Sequence, residues 1–343
     1  MEVSSGITHR LYPLTEQSQI GELRRDAVAL AQASGFDDVA AGQVALVATE
    51  LGSNLVKHAR SGQVLLARVA DGRGSWQIEL ISVDQGPGID DVAAAMADGF
   101  STVGTLGQGL GAVRRLSHDF DLHSSPDGTV ILARLHAHSA AVAGAAASPQ
   151  AFSVGVVAIA APGETVCGDA WAVAQDGERA SALLADGLGH GSHAAEAANA
   201  AVECFAGMPA AAPRQLLDQM HRALRATRGA AVALAQLELA GPSLEYSGAG
   251  NICGRLLSGV EDRTLATQHG TVGLAMRQVQ PNRYTLGDHT LLVMHSDGLA
   301  TRWRLAHPSL LRHHPAIIAA TLWRDNRRGR DDATVLVLKR NSG

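Results

Sequence analysis

Leu183–Gly191 reads LLADGLGHG: an apolar run ends on an acid, Asp186, and drops into a turn with three glycines beginning at Gly187. The same device returns at Leu291–Leu299, LLVMHSDGL, where Asp297 precedes Gly298. Two more acidic positions stand at the ends of apolar runs, Asp169 in VCGDAWAV and the pair Asp331-Asp332 in RGRDDATVLVLK. One Asp-Gly after one strand is an ordinary turn. Acids on four different strands of one half are harder to dismiss, because converging carboxylates repel and destabilise unless cations lie between them. Hard oxygen donors suit Mg2+ or Mn2+. A pair of such ions can activate water for attack on a phosphoryl group, and no Ser or Cys nucleophile motif competes with that reading.

Composition sets the frame. The chain has 343 residues, enough for about two domains, and 46 % of them are hydrophobic. Only 3 % are aromatic, so the cores must be built from Leu, Val, Ile and Ala. The net charge of −5 comes without a long basic run, which removes the electrostatic footprint of a nucleic-acid binder. Cys167, Cys204 and Cys253 lie far apart and read as buried thiols, not as a disulfide framework or zinc site. The start, MEVSSGITHRLYPL, lacks a signal-peptide pattern, and no apolar run looks long enough to span a bilayer. The expectation is a cytoplasmic protein with no membrane partner.

His136–Gln150, HAHSAAVAGAAASPQ, is bland and aperiodic between two apparent strands, TVILARLHA and FSVGVVAIA. It predicts a first domain over 1–137, a linker over 138–150 and a second domain over 151–343. Each half holds its own apolar elements and should fold alone. The first alternates helices, such as DDVAAGQVALVATELGSNLVKHA, with strands such as Trp76–Val83, an α+β pattern. The second shows many short strands and helical patches at Ala194–Phe205, Arg214–Thr227 and near Ser309–Arg324.

The first half carries a second constellation. On a helix, Glu50, Asn54 and His58 of ELGSNLVKHA share a face. A carboxylate and an amide one turn apart can serve a hydroxyl nucleophile and a magnesium ion. A polar stripe on a solvated face is the plainer alternative. In ISVDQGPGI a strand ends on Asp84, able to accept from an adenine amino group, with Gly86 and Gly88 allowing close approach to a flat base. In FSTVGTLGQGLGAVRRL several glycines, Gly107, Gly109 and Gly111 among them, lead into a helix whose N-terminus can cradle phosphate. Thr129 opens the last strand, in SSPDGTVILARL.

In this order the four segments resemble the GHKL ATPase superfamily across most of residues 10–136. DQGPGI, DGFSTVGTLGQGLGAVRRL and DFDLHSSPDGT are most similar to RsbT-like serine kinases, while KHA also resembles RsbW-type anti-sigma kinases. The resemblance implies a Bergerat α/β sandwich binding ATP and Mg2+. Glu50 would be the catalytic base and Asn54 a magnesium ligand. Asp84 would read adenine with Gly86 and Gly88 beside it and Thr129 behind. Gly107, Gly109 and Gly111 would form the lid and phosphate loop.

In the second half GDAW, DGLGHG, GAGNI, HGTVGL, HSDGL and DDATVLVL resemble the PPM-type protein phosphatases, in the SpoIIE branch and close to RsbX-like enzymes. That resemblance implies an αββα sandwich with two Mn2+ or Mg2+ at one edge. Asp169, Asp186, Asp297 and Asp331 would be ligands and Gly187 a carbonyl donor, with Asp332 the lesser candidate of its pair. His190 is open between substrate contact and a turn role. No arginine near the first strand offers a phosphate clamp.

Together the resemblances imply one chain that phosphorylates and dephosphorylates in a partner-switching pathway. Its target would be a STAS-domain protein of the RsbS or anti-sigma-antagonist kind and its phosphorylated form, with a downstream signalling protein as a further partner. The alternative is an ATP-dependent anti-sigma-like binding module fused to a phosphatase with a different target.

Overall fold

The computed structural model describes residues 2–70, 75–96, 109–137, 150–276, 279–287 and 289–341. The chain divides into two units: His9–Ala146, and Met1–Thr8 together with Ala147–Gly343. The expected linker over 138–150 lies, but for Gln150, outside the described residues. The first eight residues depart from expectation. They belong with the distant C-terminal half.

That departure has a concrete cause. Strand β1 (Glu2–Ser5) pairs antiparallel with a strand far along the chain, from Glu2 opposite Gln175 to Ser5 opposite Ala172. Just beyond it, the Trp171 indole donates to the Ile7 carbonyl at 3.1 Å, and Val3 and Ile7 pack against apolar clusters of the C-terminal unit. A fragment starting near Gln150 would therefore lack one edge of its sheet, which corrects the expectation that 151–343 is a self-sufficient domain.

The His9–Ala146 unit runs β2 (Arg10–Pro13), α1 (Gln17–Ala33), α2 (Asp38–His58), β3 (Gln63–Ala70), β4 (Trp76–Val83), α3 (Val92–Ala95), α4 (Leu110–Leu116), β5 (Asp119–Ser125) and β6 (Gly128–His136). Its strands form an antiparallel sheet in the order β2-β3-β4-β6-β5. Helix α2 starts where the Asp37 carboxylate accepts from the Ala40 amide at 2.7 Å, and it carries Lys57 and His58 in its last turn, where positive charge suits the helix dipole. By length and composition α2 could cross a membrane, contrary to the expectation from the apolar runs. It is a core helix instead: Ala40, Val44, Val47, Leu51 and Leu55 pack with Leu23 and Ala27 of α1 and with Ile78 and Leu80 of β4.

The same sheet buries a charged trio. Glu79 of β4 accepts from Arg134 Nε at 2.6 Å, and its other oxygen lies 2.9 Å from His9 Nε2. Burial alone would raise this carboxyl, but Arg134 and His9 outweigh it and hold it at about 2.

The C-terminal unit continues with β7 (Phe152–Ile159), β8 (Asp169–Asp176), β9 (Arg179–Gly187), α5 (Ser192–Gly207), α6 (Pro213–Ala223), β10 (Ala230–Glu238), β11 (Ser243–Ala249), β12 (Cys253–Leu257), β13 (Asp262–Leu265), β14 (Gly270–Thr271), β15 (Ala275–Met276), β16 (Asn282–Thr285), β17 (Leu291–His295), α7 (Pro315–Asn326) and β18 (Ala333–Arg340). Two antiparallel sheets form, β1-β8-β9-β10-β11-β16 and β13-β12-β17-β18-β7. Their inner faces meet through Trp171, Leu184, Tyr246, Leu292 and Leu336. The outer face of the first sheet is covered by α5 and α6 through Ala201, Phe205, Leu217 and Met220, and α7 lies on β7 and β18. This is the expected αββα sandwich. Period-two alternation within each strand separates the inner face from the helix-covered face.

Candidate functional sites

Strand register gathers the acids of the C-terminal unit. Asp169, first residue of β8, lies directly opposite Asp186 near the end of β9. Both share the strand parity of Trp171 and Leu184, so they extend the inner face to the sheet edge. Asp297 follows β17, and Asp331 and Asp332 precede β18 in the facing sheet. The charges feel one another. Burial first, then Asp169, Asp297, Asp331 and Asp332, push the Asp186 carboxyl up. Burial raises Asp169 as well, opposed by the hydroxyls of Ser296 and Thr334 and reinforced by Asp332 and Asp297. Those hydroxyls are near without meeting hydrogen-bond geometry, so both Asp169 oxygens are buried and unpartnered, as is Asp332 Oδ2.

Buried carboxylates without donors are costly, and divalent cations remedy that cost. The donor set therefore fits Mg2+ or Mn2+. Among the described residues no three His, Cys, Asp or Glu side chains enclose one ion unaided. A cation held here would be shared between pairs of carboxylates and completed by backbone carbonyls and water, the usual habit of Mg2+. The two members of the Asp331-Asp332 pair are differently committed. Asp332 is buried, and its Oδ1 accepts from the Ala161 amide at 2.8 Å. Asp331 is exposed and accepts from the Asp332 amide at 2.9 Å, while its charge raises the carboxyls of both Asp297 and Asp186.

The glycines after the acids have a packing reason. A Cβ on Gly187 would lie 2.0 Å from the Ala194 carbonyl oxygen, and one on Gly298 would lie 2.0 Å from that of Asp332. Both loops thus pass against backbone, the first against α5 and the second against the approach to β18. Asn251, in the GAGNI segment but not singled out from sequence, donates from Nδ2 to Asp297 Oδ2 at 2.7 Å and orients it. Under the Asp297 loop, His295 is buried: its Nδ1 contacts the Ser296 carbonyl at 2.8 Å, and its Nε2 accepts from Trp303 Nε1 at 2.9 Å. Burial holds this imidazole at about 4, so it is neutral and can accept. His190 pairs through Nδ1 with Glu164 at 2.7 Å.

In the other unit Glu50 and Asn54 sit one turn apart on α2. Burial raises the Glu50 carboxyl, with Lys57 opposing, which makes it a better base than an exposed glutamate. The Asn54 Nδ2 is buried and has no hydrogen-bond partner among the described residues. Asp84 Oδ1 accepts from the Gly86 amide at 2.6 Å and the Thr129 amide at 3.3 Å, while its own N–H donates to the Thr129 carbonyl at 3.0 Å. The Thr129 hydroxyl lies 3.1 Å from Ser124 Oγ, which accepts from the Ile89 amide at 2.7 Å. The structure thus brings Asp84, Gly86, Gly88 and Thr129 into one cluster and adds Ser124, which the hairpin reading of HSSPDG gave no reason to select. Gly88 has φ +83°, and its Cα faces the Ser125 carbonyl, where a Cβ would be 2.3 Å from the oxygen. Gly109 caps α4 and Gly111 is buried in its first turn. Gly107 lies outside the described residues.

Both halves are similar to known proteins. The histidine kinase-like ATPase domain matches residues 13–135, and Stage II sporulation protein E (SpoIIE) matches residues 176–341. Over 105 residues the chain is 42 % identical to the serine/threonine-protein kinase RsbT of Bacillus subtilis (strain 168), covering 30 % of this chain and 78 % of RsbT. Among solved structures, one described as "The bacterial stressosome: a modular system that has been adapted to control secondary messenger signaling" is 28 % identical with a TM-score of 0.50, covering 55 % of this chain and 98 % of its own. RsbX in complex with magnesium shares the fold, at 20 % identity and a TM-score of 0.50, over 57 % of this chain and 98 % of RsbX.

Proposed function

Because the chain belongs to the RsbT family of serine/threonine kinases in its N-terminal half and carries a SpoIIE-type phosphatase domain behind it, we propose that it both adds and removes phosphoryl groups within one partner-switching pathway. The substrate of both halves is a STAS-domain regulator, RsbS-like or antagonist-like, acted on at serine or threonine in the cytoplasm. The kinship to RsbT and the stressosome likeness support that choice. The observation that carries the reading is the pairing of two unlike phosphoryl sites in one chain: a base and an amide one turn apart on α2, and a cluster of carboxylates at a sandwich edge whose member Asp169 is buried without a hydrogen-bond partner.

In the kinase half Glu50 would take the proton of the substrate hydroxyl as its oxygen attacks the γ-phosphorus of ATP, the bond to the β,γ-bridging oxygen breaking and ADP leaving. Asn54 would hold the magnesium that accompanies the nucleotide. Asp84, steadied by the Gly86 and Thr129 amides, would accept from the adenine amino group. In the phosphatase half Asp169, Asp186, Asp297 and Asp331, with the Gly187 carbonyl, would hold two Mn2+ or Mg2+. When bound, these ions supply an activated water and neutralise phosphoryl charge. Asn251 keeps Asp297 aimed, and Asp332 anchors the Ala161 turn.

The test incubates the full chain with labelled ATP and candidate STAS proteins, then chases with unlabelled ATP with and without Mn2+. Label should enter the STAS protein and leave it faster with Mn2+. Nucleotide binding without label transfer to any STAS protein would favour the binding-module alternative, from which the basic character of Glu50 argues away.

A further inference from the structure

The sequence offers no arginine near the first strand to clamp a phosphate, but the fold brings one beside the loop that follows Asp186. β10 begins at Ala230, which lies opposite Gly187, with Ala231 opposite Asp186. Arg228 stands just ahead of that start. The Gly229 carbonyl accepts from the Leu188 amide at 3.0 Å, which ties the two segments together beyond the last ladder pair. The Arg228 guanidinium lies against Gly189, with Nη1 3.3 Å from where a Cβ would stand. The side chain is exposed and makes no hydrogen bond or ion pair to a described residue. By contrast, Arg134, Arg179, Arg255 and Arg324 are each fixed by a carboxylate.

Two exposed leucines flank this arginine. Leu188 is 41 % exposed and Leu274 56 %, both among the few large apolar side chains left to solvent. Leu274 belongs to the β14-β15 hairpin, whose Val272 exchanges backbone hydrogen bonds with Ala230. Its Cγ is 3.1 Å from a Cβ position on Gly229. On the far side of the loop the Glu164–His190 pair holds the chain in place. An exposed cation with exposed leucines on the two neighbouring segments, beside the loop that follows Asp186, is complementary to an anion carried on an apolar segment.

We propose that Arg228, Leu188 and Leu274 form the docking surface for the phosphatase substrate, Arg228 holding the phosphoryl oxygens of a phosphoserine or phosphothreonine and the leucines holding an apolar residue next to it. The proposal rests on the phosphatase reading and narrows its substrate class to phosphorylated segments with apolar neighbours.

The experiment uses the full chain with Mn2+ and three probes: p-nitrophenyl phosphate, a phosphoserine peptide flanked by leucines, and the same peptide flanked by glycines. Arg228→Ala should raise KM for all three, and the inhibition constant of inorganic phosphate, by roughly 10–100-fold, as expected for loss of a charge-assisted hydrogen bond. Arg228→Lys should recover part of that loss. Joint replacement Leu188→Ser and Leu274→Ser should raise KM about tenfold for the leucine peptide alone. The Mn2+ concentration giving half-maximal rate should stay at the parental value in every variant. Unchanged KM and phosphate inhibition in Arg228→Ala, or a leucine variant that weakens p-nitrophenyl phosphate as much as the leucine peptide, would overturn the proposal while leaving the phosphatase reading intact. A parent inactive on every probe would overturn both.

Discussion

Replacing Asp186 by Asn separates what the acidic edge costs from what a cation gives back. Asp186 faces Asp169 across the β8-β9 ladder and is disfavoured as an anion first by burial and then by four other carboxylates. Without metal, removing its charge should leave the C-terminal unit as stable as the parent or more so. With metal the order reverses. At a Mn2+ concentration a hundred times its dissociation constant, the parent gains about 2.7 kcal/mol, while a variant binding a hundredfold more weakly gains roughly 0.4 kcal/mol. For a unit of this size that is a rise in Tm of about 5–11 °C against about 1–2 °C. Calorimetry of the full chain in EDTA and in Mn2+ measures both, beside a dephosphorylation assay in which Asp186→Asn should be inactive while phosphotransfer persists. The sign of the pH dependence is also fixed. A carboxyl whose folded value is raised binds its proton more tightly when folded, so the metal-free unit should gain stability as pH falls from above neutrality toward the ordinary carboxylate range. A variant that melts like the parent in Mn2+ and still strips phosphate would refute the two-cation reading.

Three further outcomes follow from the other sites. Glu50→Gln should retain ATP binding but lose about 10²–10⁴-fold in transfer rate, whereas Asn54→Ala should lose transfer through loss of magnesium; equilibrium nucleotide binding beside a label-transfer assay distinguishes them. Glu79 is the opposite of Asp186: its value is lowered from 4.5 to about 2, so the His9–Ala146 unit should hold roughly 3 kcal/mol above pH 4.5 that disappears as pH falls toward 2, and urea titrations of Glu79→Gln against pH should lack that slope. Deleting residues 2–8 should lower the melting temperature of the phosphatase unit and leave that of the kinase unit unchanged, which two-transition calorimetry reads directly.

Much of this was legible in the residues because the acids and glycines punctuate strongly apolar strands. LLADGLGHG and LLVMHSDGL announce both where a strand ends and what stands there, and Glu50 and Asn54 share a face on any helix. Other features depend on partners that no local pattern names. EVSS has one apolar residue in four and becomes a strand only because β8 offers an open edge. The commitment of Asp332 is settled by the Ala161 amide, 171 positions away. Arg228 looks like a helix-end arginine until the β9-β10 register places it beside Gly189. The resemblance gives Gly187 a carbonyl to offer; the packing of Gly187 against α5 and of Gly298 against the approach to β18 is a separate requirement that only the folded chain reveals.

The seat of β1 also imposes an order of assembly. Synthesis delivers Glu2–Ser5 before the kinase unit, but the partner strand ending at Asp176 follows only after the whole of that unit has been made. At ordinary translation speeds the wait is on the order of ten to thirty seconds. During it the kinase unit can complete its own core, since the buried apolar residues that form that core all lie within His9–Ala146. Once it has emerged and paired with β9, β8 presents a bare edge, the kind of surface that recruits strands from other chains. Its proper occupant is already present and tethered by only the few residues between Ser5 and Arg10, so the effective concentration of the correct strand is high from the moment the edge exists. Polypeptide joined ahead of Glu2 therefore enters the phosphatase at a sheet margin, although in the linear sequence it would look like an extension of the kinase.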